Sequence, residues 1–183
     1  MKKAFLLIIL IGVLVSTQKP GFDYTAKNRA VAAVKVWDHA DIDFTSLSSS
    51  LSEAAVIAKY QNLHLDCGAE PSPMGDRSCF TNVRSINGVD AWFVAFFFDK
   101  DHLNQVKVDF GSAGHKEILV SLLANHGEPR GFQPDQYGNN VIGWILKNGI
   151  LTTNEVAYAK GTTQVYWLSN EKLLGSMLKN IAI

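Results

Sequence analysis

The chain carries no surplus charge: 17 Lys and Arg offset 17 Asp and Glu over 183 residues. Without a basic excess, nucleic acid is a poor candidate partner. Long charge runs and low-complexity tracts are absent, and the cluster Ser46, Ser48, Ser49, Ser50 is too short for a linker. There are only two cysteines, Cys67 and Cys79. A zinc centre needs more ligands at closer spacing, and a redox pair usually has C-x-x-C spacing. No HExxH, P-loop or dinucleotide fingerprint occurs, so the sequence points to no metal and no cofactor. Gly111-Ser112-Ala113-Gly114 lacks the spacing of a nucleophile elbow and fits a helix cap instead.

What is present is a hydrophobic content of 47%, enough for a packed core in one domain. Met1-Lys2-Lys3 precedes an unbroken apolar run over residues 4–15, and Lys19-Pro20-Gly21 follows. That is the basic start and apolar core of a bacterial export signal. The run is shorter than the roughly 20 residues that span a bilayer comfortably. It also lacks an A-x-A cleavage site and a lipoprotein cysteine. Two outcomes stay open: a cleaved signal, or a short anchor with the domain facing the periplasm. Export makes a disulfide between Cys67 and Cys79 the natural reading, because the Gly-, Pro- and Ser-rich stretch between them is a loop. Closing it would contribute about 3 kcal/mol in the chain-entropy model. Residues 1–20 are therefore assigned to the signal or anchor, 21–44 to an arm or linker, and 45–183 to one domain.

The domain is organised around residues 91–110, AWFVAFFFDKDHLNQVKVDF. Residues 91–98 hold five aromatics and no charge, which is strand composition. Residues 103–110 alternate, with Val106, Val108 and Phe110 on one side and Gln105, Lys107 and Asp109 on the other. A two-residue loop would pair Ala95 with Val106. A three-residue loop with a left-handed residue at His102 pairs Phe96 with Val106, Val94 with Val108 and Trp92 with Phe110. The second register gathers the large apolar side chains on one face and is preferred. Phe93 and Phe97 then share the other face with Gln105 and Lys107. Either a further segment covers these two rings, or all four residues belong to a partner-binding surface. Trp92 is expected to be buried under the helices.

Around this hairpin the signals alternate. Ser50-Leu51-Ser52-Glu53 has the form of a capping box opening a helix to about Tyr60, with Leu51, Ala54, Ala55 and Ala58 toward the sheet. Residues 63–67 and 79–83 are expected as short strands, with Asn87-Gly88 turning into the hairpin. A second helix is expected over 114–126, with Ile118, Leu119, Leu122 and Leu123 as its stripe, ended by Gly127 and Pro129. After a loop over 130–140, strands are expected at 141–146, 150–158 and 163–168, with turns at Asn148-Gly149 and Lys160-Gly161. Ser169 or Asn170 caps a last helix bearing Leu173, Leu174, Met177, Leu178 and Ile181. The fold class is α+β: an antiparallel sheet with helices on one face, built as two similar helix-plus-strands halves.

The helix followed by Gly127-Glu128-Pro129, Trp144 and a Gly-turned hairpin resembles small exported modules of the BamE (SmpA/OmlA) and β-lactamase-inhibitor-protein type. Phe98-Asp99-Lys100-Asp101-His102-Leu103 is similar to their F-D-x-x-G-x-L hairpin, with His102 in place of the glycine. The resemblance spans residues 45–169 and implies a binding or assembly module without catalysis. The expected function is thus a non-enzymatic, periplasm-facing module, with an envelope protein or peptide as partner and the membrane met through the N-terminal segment. The alternative is a small periplasmic hydrolase assembled from dispersed groups, such as His64 with the acids near the disulfide loop. Of the other histidines, His102 sits at a turn, His115 in a first helical turn and His126 at a helix end, while His39 lies in the acidic run of Asp38, Asp41 and Asp43, read as a solvated face; none forms a close ligand pair. Asp99 and Asp101 lack the further ligands of a calcium cage.

Overall fold

The computed structural model describes residues 38–173, apart from Glu70, Gln133, Gln136 and residues 158–160. The apolar N-terminal run, residues 21–37 of the arm or linker, and Leu174, Met177, Leu178 and Ile181 of the last stripe lie outside the described residues. In chain order the elements are β1 (Asp38–Ala40), α1 (Glu53–Lys59), β2 (Asp66–Gly68), β3 (Arg77–Ile86), β4 (Val89–Asp99) and β5 (His102–Gly111). These are followed by α2 (His115–His126), β6 (Arg130–Gly131), β7 (Val141–Leu146), β8 (Gly149–Asn154) and β9 (Thr162–Ser169). The strands form one open, mostly antiparallel sheet in the order β1-β3-β4-β5-β9-β8-β7-β6. Strand β1 runs parallel to β3, and β2 pairs antiparallel with the other end of that strand. Each helix precedes a three-stranded meander, β3-β4-β5 or β7-β8-β9, and the meanders join along β5 and β9.

The β4–β5 pairing has the register that the apolar pattern favours: Val94 opposite Val108 and Phe96 opposite Val106. The device that sets it differs from the expectation. Lys100 and Asp101 both have positive φ (51° and 63°), and Asp99 pairs with His102. The loop therefore has two residues, and His102 is not left-handed. Between Phe98↔Leu103 and Phe97↔Gln105 the ladder skips Asn104. That extra residue restores the alignment a three-residue loop would have produced. The Asn104 side chain is tied down by Nδ2 donating to the Met74 carbonyl (3.1 Å).

A second irregularity corrects the placement of Trp92. Ala91, not Trp92, pairs with Phe110, and Phe93 pairs with Asp109, so Trp92 is the unpaired residue of a bulge. It is 46% exposed, while Ala91 takes its place in the core. Alternation over eight residues held no sign of an inserted residue.

Val94, Phe96, Phe98, Val106, Val108 and Phe110 form one buried cluster with Val56 of α1, Ile118 and Leu122 of α2, and Trp167 of β9. On α1 the buried positions are Val56 and the following Tyr60, not the alanine stripe. The box expected from Ser50 does not form either. Ser52 is the cap, its Oγ accepting from the Ala55 amide, and Asp101 accepts from the Glu53 amide (3.0 Å). The Glu53 carboxylate is taken by a two-point contact with Arg77 (2.6 and 2.8 Å) and cannot return a cap bond. Asn87 and Gly88 turn into β4 with φ of 53° and 77°. Gly127 ends α2 with its amide donating to the Leu123 carbonyl (2.9 Å). Its own carbonyl accepts from Trp144 Nε1 (2.7 Å). Ser169 Oγ accepts from the Lys172 amide (3.1 Å), so the last helix is capped there.

Residues 38–44 take part in the sheet and core: Ile42 and Phe44 are buried. Asn87 bonds both backbone groups of Ile42 (2.7 and 3.0 Å). Asn148 Nδ2 donates to the carbonyls of Phe44, Thr45 and Leu47.

Tyr60 stacks on Phe96 with centroids 5.1 Å apart, and its hydroxyl is buried without a partner. Burial first, and then the charge of Asp43, pushes the phenol up to about 12. A folded value above the unfolded one stabilises the fold below the unfolded value of about 10, and that contribution is lost as pH rises through the folded value. Stability is therefore expected to fall between those two pH values. Tyr60→Phe should remove this alkaline dependence and leave neutral stability unchanged or higher, since the hydroxyl bonds nothing. Urea melts at about pH 8 and about pH 11 check this. A loss of stability at the lower pH would mean that the hydroxyl has a native partner.

Candidate functional site

The face of the sheet opposite α1 and α2 is set by alternation. On β4 it carries Phe93, Ala95 and Phe97. On β5 these face Asp109, Lys107 and Gln105, and on β9 the same rows continue as Gln164, Tyr166 and Leu168. Thr152 of β8 pairs with Tyr166, and Gly143 of β7 with Thr152. The Trp92 ring belongs to this face too. Gly111 lies two residues beyond Asp109 on β5, and a Cβ there would meet the Trp92 indole at 3.5 Å.

The four residues singled out in the sequence, Phe93, Phe97, Gln105 and Lys107, share this face, as the register requires. Their exposure differs from an open patch. Phe93 is 7% and Phe97 2% exposed, and Gln105 is buried as well. The two rings form a small cluster with Ala95 against Met74 and Phe80. Met74 belongs to the loop between the cysteines, so the covering segment is the disulfide loop itself. Cys67 and Cys79 are bonded, and they lie directly opposite each other on β2 and β3. Glu53 lies within 4.8 Å of both sulfurs, the one such cluster of ligand atoms among the described residues. With the sulfurs bonded to each other and the carboxylate on Arg77, the cluster is structural.

At the centre of the face lies an ion pair. Lys107 Nζ donates to Asp109 Oδ2 at 3.0 Å and sits 5.9 Å from the Phe93 ring centroid. Asp109 is 3% exposed, and its other oxygen, Oδ1, has no hydrogen-bond partner. Beside it the Tyr166 hydroxyl donates to Gln164 Oε1 (2.8 Å). From Gln164 and Tyr166 a groove of about 360 Å³ runs across Thr152 and Asn154 to Asp135 and Tyr137. Asp135 builds the far wall: Oδ1 accepts from the amides of Tyr137 and Asn139, and Oδ2 from Asn154 Nδ2. The Tyr137 ring at its tip is 76% exposed.

The sequence reading missed Gln164, Tyr166, Tyr137 and the role of Trp92. Alternation along β9 marks Gln164 and Tyr166 as one face, but only the pairing of β9 with β5 shows which face that is. Nothing in the sequence marks Tyr137, whose position depends on the Asp135 turn.

A second hollow, of about 420 Å³, lies between residues 41–45 and α2, and includes Asp43, Asn87, Asn125 and His126. The Asp43 carboxyl is held below its usual range, chiefly by the Thr45 hydroxyl. Burial lowers His126. His39 bonds Ser85 Oγ, His102 the Ser49 carbonyl, and His115 both Thr163 Oγ1 and the Glu155 carbonyl. His64 is exposed at φ 47°. Among the described residues these contacts join no histidine to a carboxylate. No described helix is long and apolar enough to cross a membrane. No protein-family model, curated protein or solved structure matches the chain.

Proposed function

We propose that the chain is an exported, non-enzymatic binding module of the cell envelope that holds its partner on the sheet face opposite the helices. The observation that carries this is Trp92: a bulge turns a large aromatic out of the core and sets it at 46% exposure over Gly111, on the sheet face that carries Gln105, Lys107 and Asp109. Exposed aromatics ringed by polar groups are typical of interaction surfaces. The basic start and apolar run support export, and the disulfide is at home in an oxidising compartment. The resemblance to the BamE and β-lactamase-inhibitor-protein type points the same way, and the two helix-plus-meander units favour a duplicated plan. The partner read from the sequence is another envelope component, a protein or peptide.

The test is capture from envelope extracts with the full chain as bait. Trp92→Ala combined with Tyr137→Ala should weaken capture of whatever the unaltered chain retains, while the variant still unfolds in one cooperative transition. Equal capture by both baits would refute this use of the face.

A further inference from the structure

We infer that the Cys67–Cys79 disulfide is a redox-operated latch on this sheet. A dithiol reductant opens it, and the loop it closes then lifts from Phe93 and Phe97 while the main core stays shut. The inference goes beyond the binding-face reading and does not depend on it. Three features carry it.

The first is that the covered rings form a unit of their own. Phe93, Ala95 and Phe97 cluster apart from the main core, with Met74 and Phe80 against them. Phe80 pairs with Ala95 across β3 and β4, and its ring lies 5.9 Å from that of Phe93. Met74 is the loop's apolar contact with this cluster. The loop can therefore leave without opening the core packed against α1 and α2.

The second is how the loop is held. It joins β2 to β3, and β2 is a three-residue strand that pairs with β3 alone. The Asp76 amide donates to the Phe98 carbonyl (2.9 Å), and Asp76 Oδ2 accepts from the Lys100 amide (3.2 Å). The Met74 carbonyl accepts from Asn104 Nδ2 (3.1 Å), and that of Pro73 from Lys172 Nζ (2.8 Å). Pro71, Pro73 and Asp76 are exposed, so water can replace these bonds as the loop lifts. Water has no replacement for the disulfide, which pins β2 and with it the first end of the loop. In the chain-entropy model a cross-link over a loop of this length disfavours the open chain roughly a hundredfold.

The third is the unequal setting of the two sulfurs. Cys67 is partly exposed on its edge strand, whereas Cys79 is fully buried. A thiolate of the reductant attacks Cys67 Sγ, the S–S bond breaks, and Cys79 leaves as a thiolate that takes up a proton. The second thiolate of the reductant resolves the mixed disulfide, closes the reductant's own disulfide and releases Cys67 as a thiol. Two electrons and two protons pass to the protein. Glu53, the carboxylate beside the sulfurs, is paired with Arg77 and so repels the incoming thiolate less. The freed Cys79 thiol stays in the main core as a small apolar side chain, so packing there survives reduction.

The experiment uses the full chain in zwitterionic detergent, with dithiothreitol as the reductant and no denaturant. Reduction should go to completion, and iodoacetamide should then alkylate Cys67 in preference to Cys79. Hydroxyl-radical footprinting, read by mass spectrometry, follows on the oxidised and the alkylated chain. Ring oxidation of Phe93 and Phe97 should rise at least about tenfold on reduction, while that of Phe96 in the main core stays low. Cys67→Ser should give the reduced pattern without reductant. In the oxidised chain Met74→Ala, which leaves the disulfide in place, should raise oxidation of the same two rings. The inference is overturned if the disulfide resists dithiothreitol until the chain unfolds, or if Phe93 and Phe97 stay protected after reduction. It is equally overturned if Phe96 becomes oxidised in step with them, since the fold then opens as a whole. Protection unchanged in Met74→Ala would show that the loop is not the cover.

Discussion

Phe96→Ala should lower the free energy of unfolding by about 3–5 kcal/mol, whereas Trp92→Ala, at a half-exposed position, should cost only about 1–2 kcal/mol. Phe96 is fully buried, stacked on Tyr60, opposite Val106 on β5 and Cys79 on β3. Its removal leaves a cavity bounded by paired strands and a disulfide, which have little freedom to collapse into it. Trp92 stands at the bulge over Gly111, with nearly half its surface in water. Urea denaturation of the two variants at equal slope measures the contrast. A Trp92→Ala loss as large as that of Phe96→Ala would place the indole in the core and remove the basis of the binding face. Phe93→Ala with Phe97→Ala should destabilise as core substitutions do, because both rings are buried under Met74 and Phe80.

The reversal of Trp92 and Phe93 shows how far the sequence carries. Period-two alternation assigned faces correctly for Val94, Phe96, Val106 and Val108, since a slip would have turned every side chain over. It carried no information about the single inserted residues at Trp92 and Asn104, whose cause is tertiary. Turn chemistry was legible where backbone conformation alone decides it, at Asn87-Gly88 and Gly127. It misled where a side chain had a stronger distant partner. Glu53 stands three residues after Ser50, as a capping box requires, yet Arg77 on β3 claims it. The cover on Phe93 and Phe97 was foreseen as one alternative without its source, because a loop between two cysteines shows nothing of where Met74 will land. The disulfide was legible from cysteine count and loop composition, together with the expectation of export. The groove was not, because it needs the β5–β9 pairing that joins the two meanders.

The second large effect concerns the ion pair at the centre of the face. Lys107→Met should destabilise the domain by about 3–5 kcal/mol, the usual cost of leaving a buried charge without its partner. In the native fold Asp109 already has one oxygen unpaired, and the other accepts from Lys107 Nζ. Lys107→Met therefore leaves the whole carboxylate unsatisfied beside Phe93 and Gln164. It also removes the ammonium lying 5.9 Å from the Phe93 ring, worth about another 0.5–1 kcal/mol. Much of this is the cost of a stranded charge and not the worth of the pair. Adding Asp109→Leu to Lys107→Met should accordingly recover most of the loss, because apolar residues replace a buried pair at little or no cost. A double-mutant cycle in urea isolates the coupling between the two. Additive losses would mean that Asp109 does not depend on Lys107. Recovery of stability in the double variant would show that the pair is dispensable for folding.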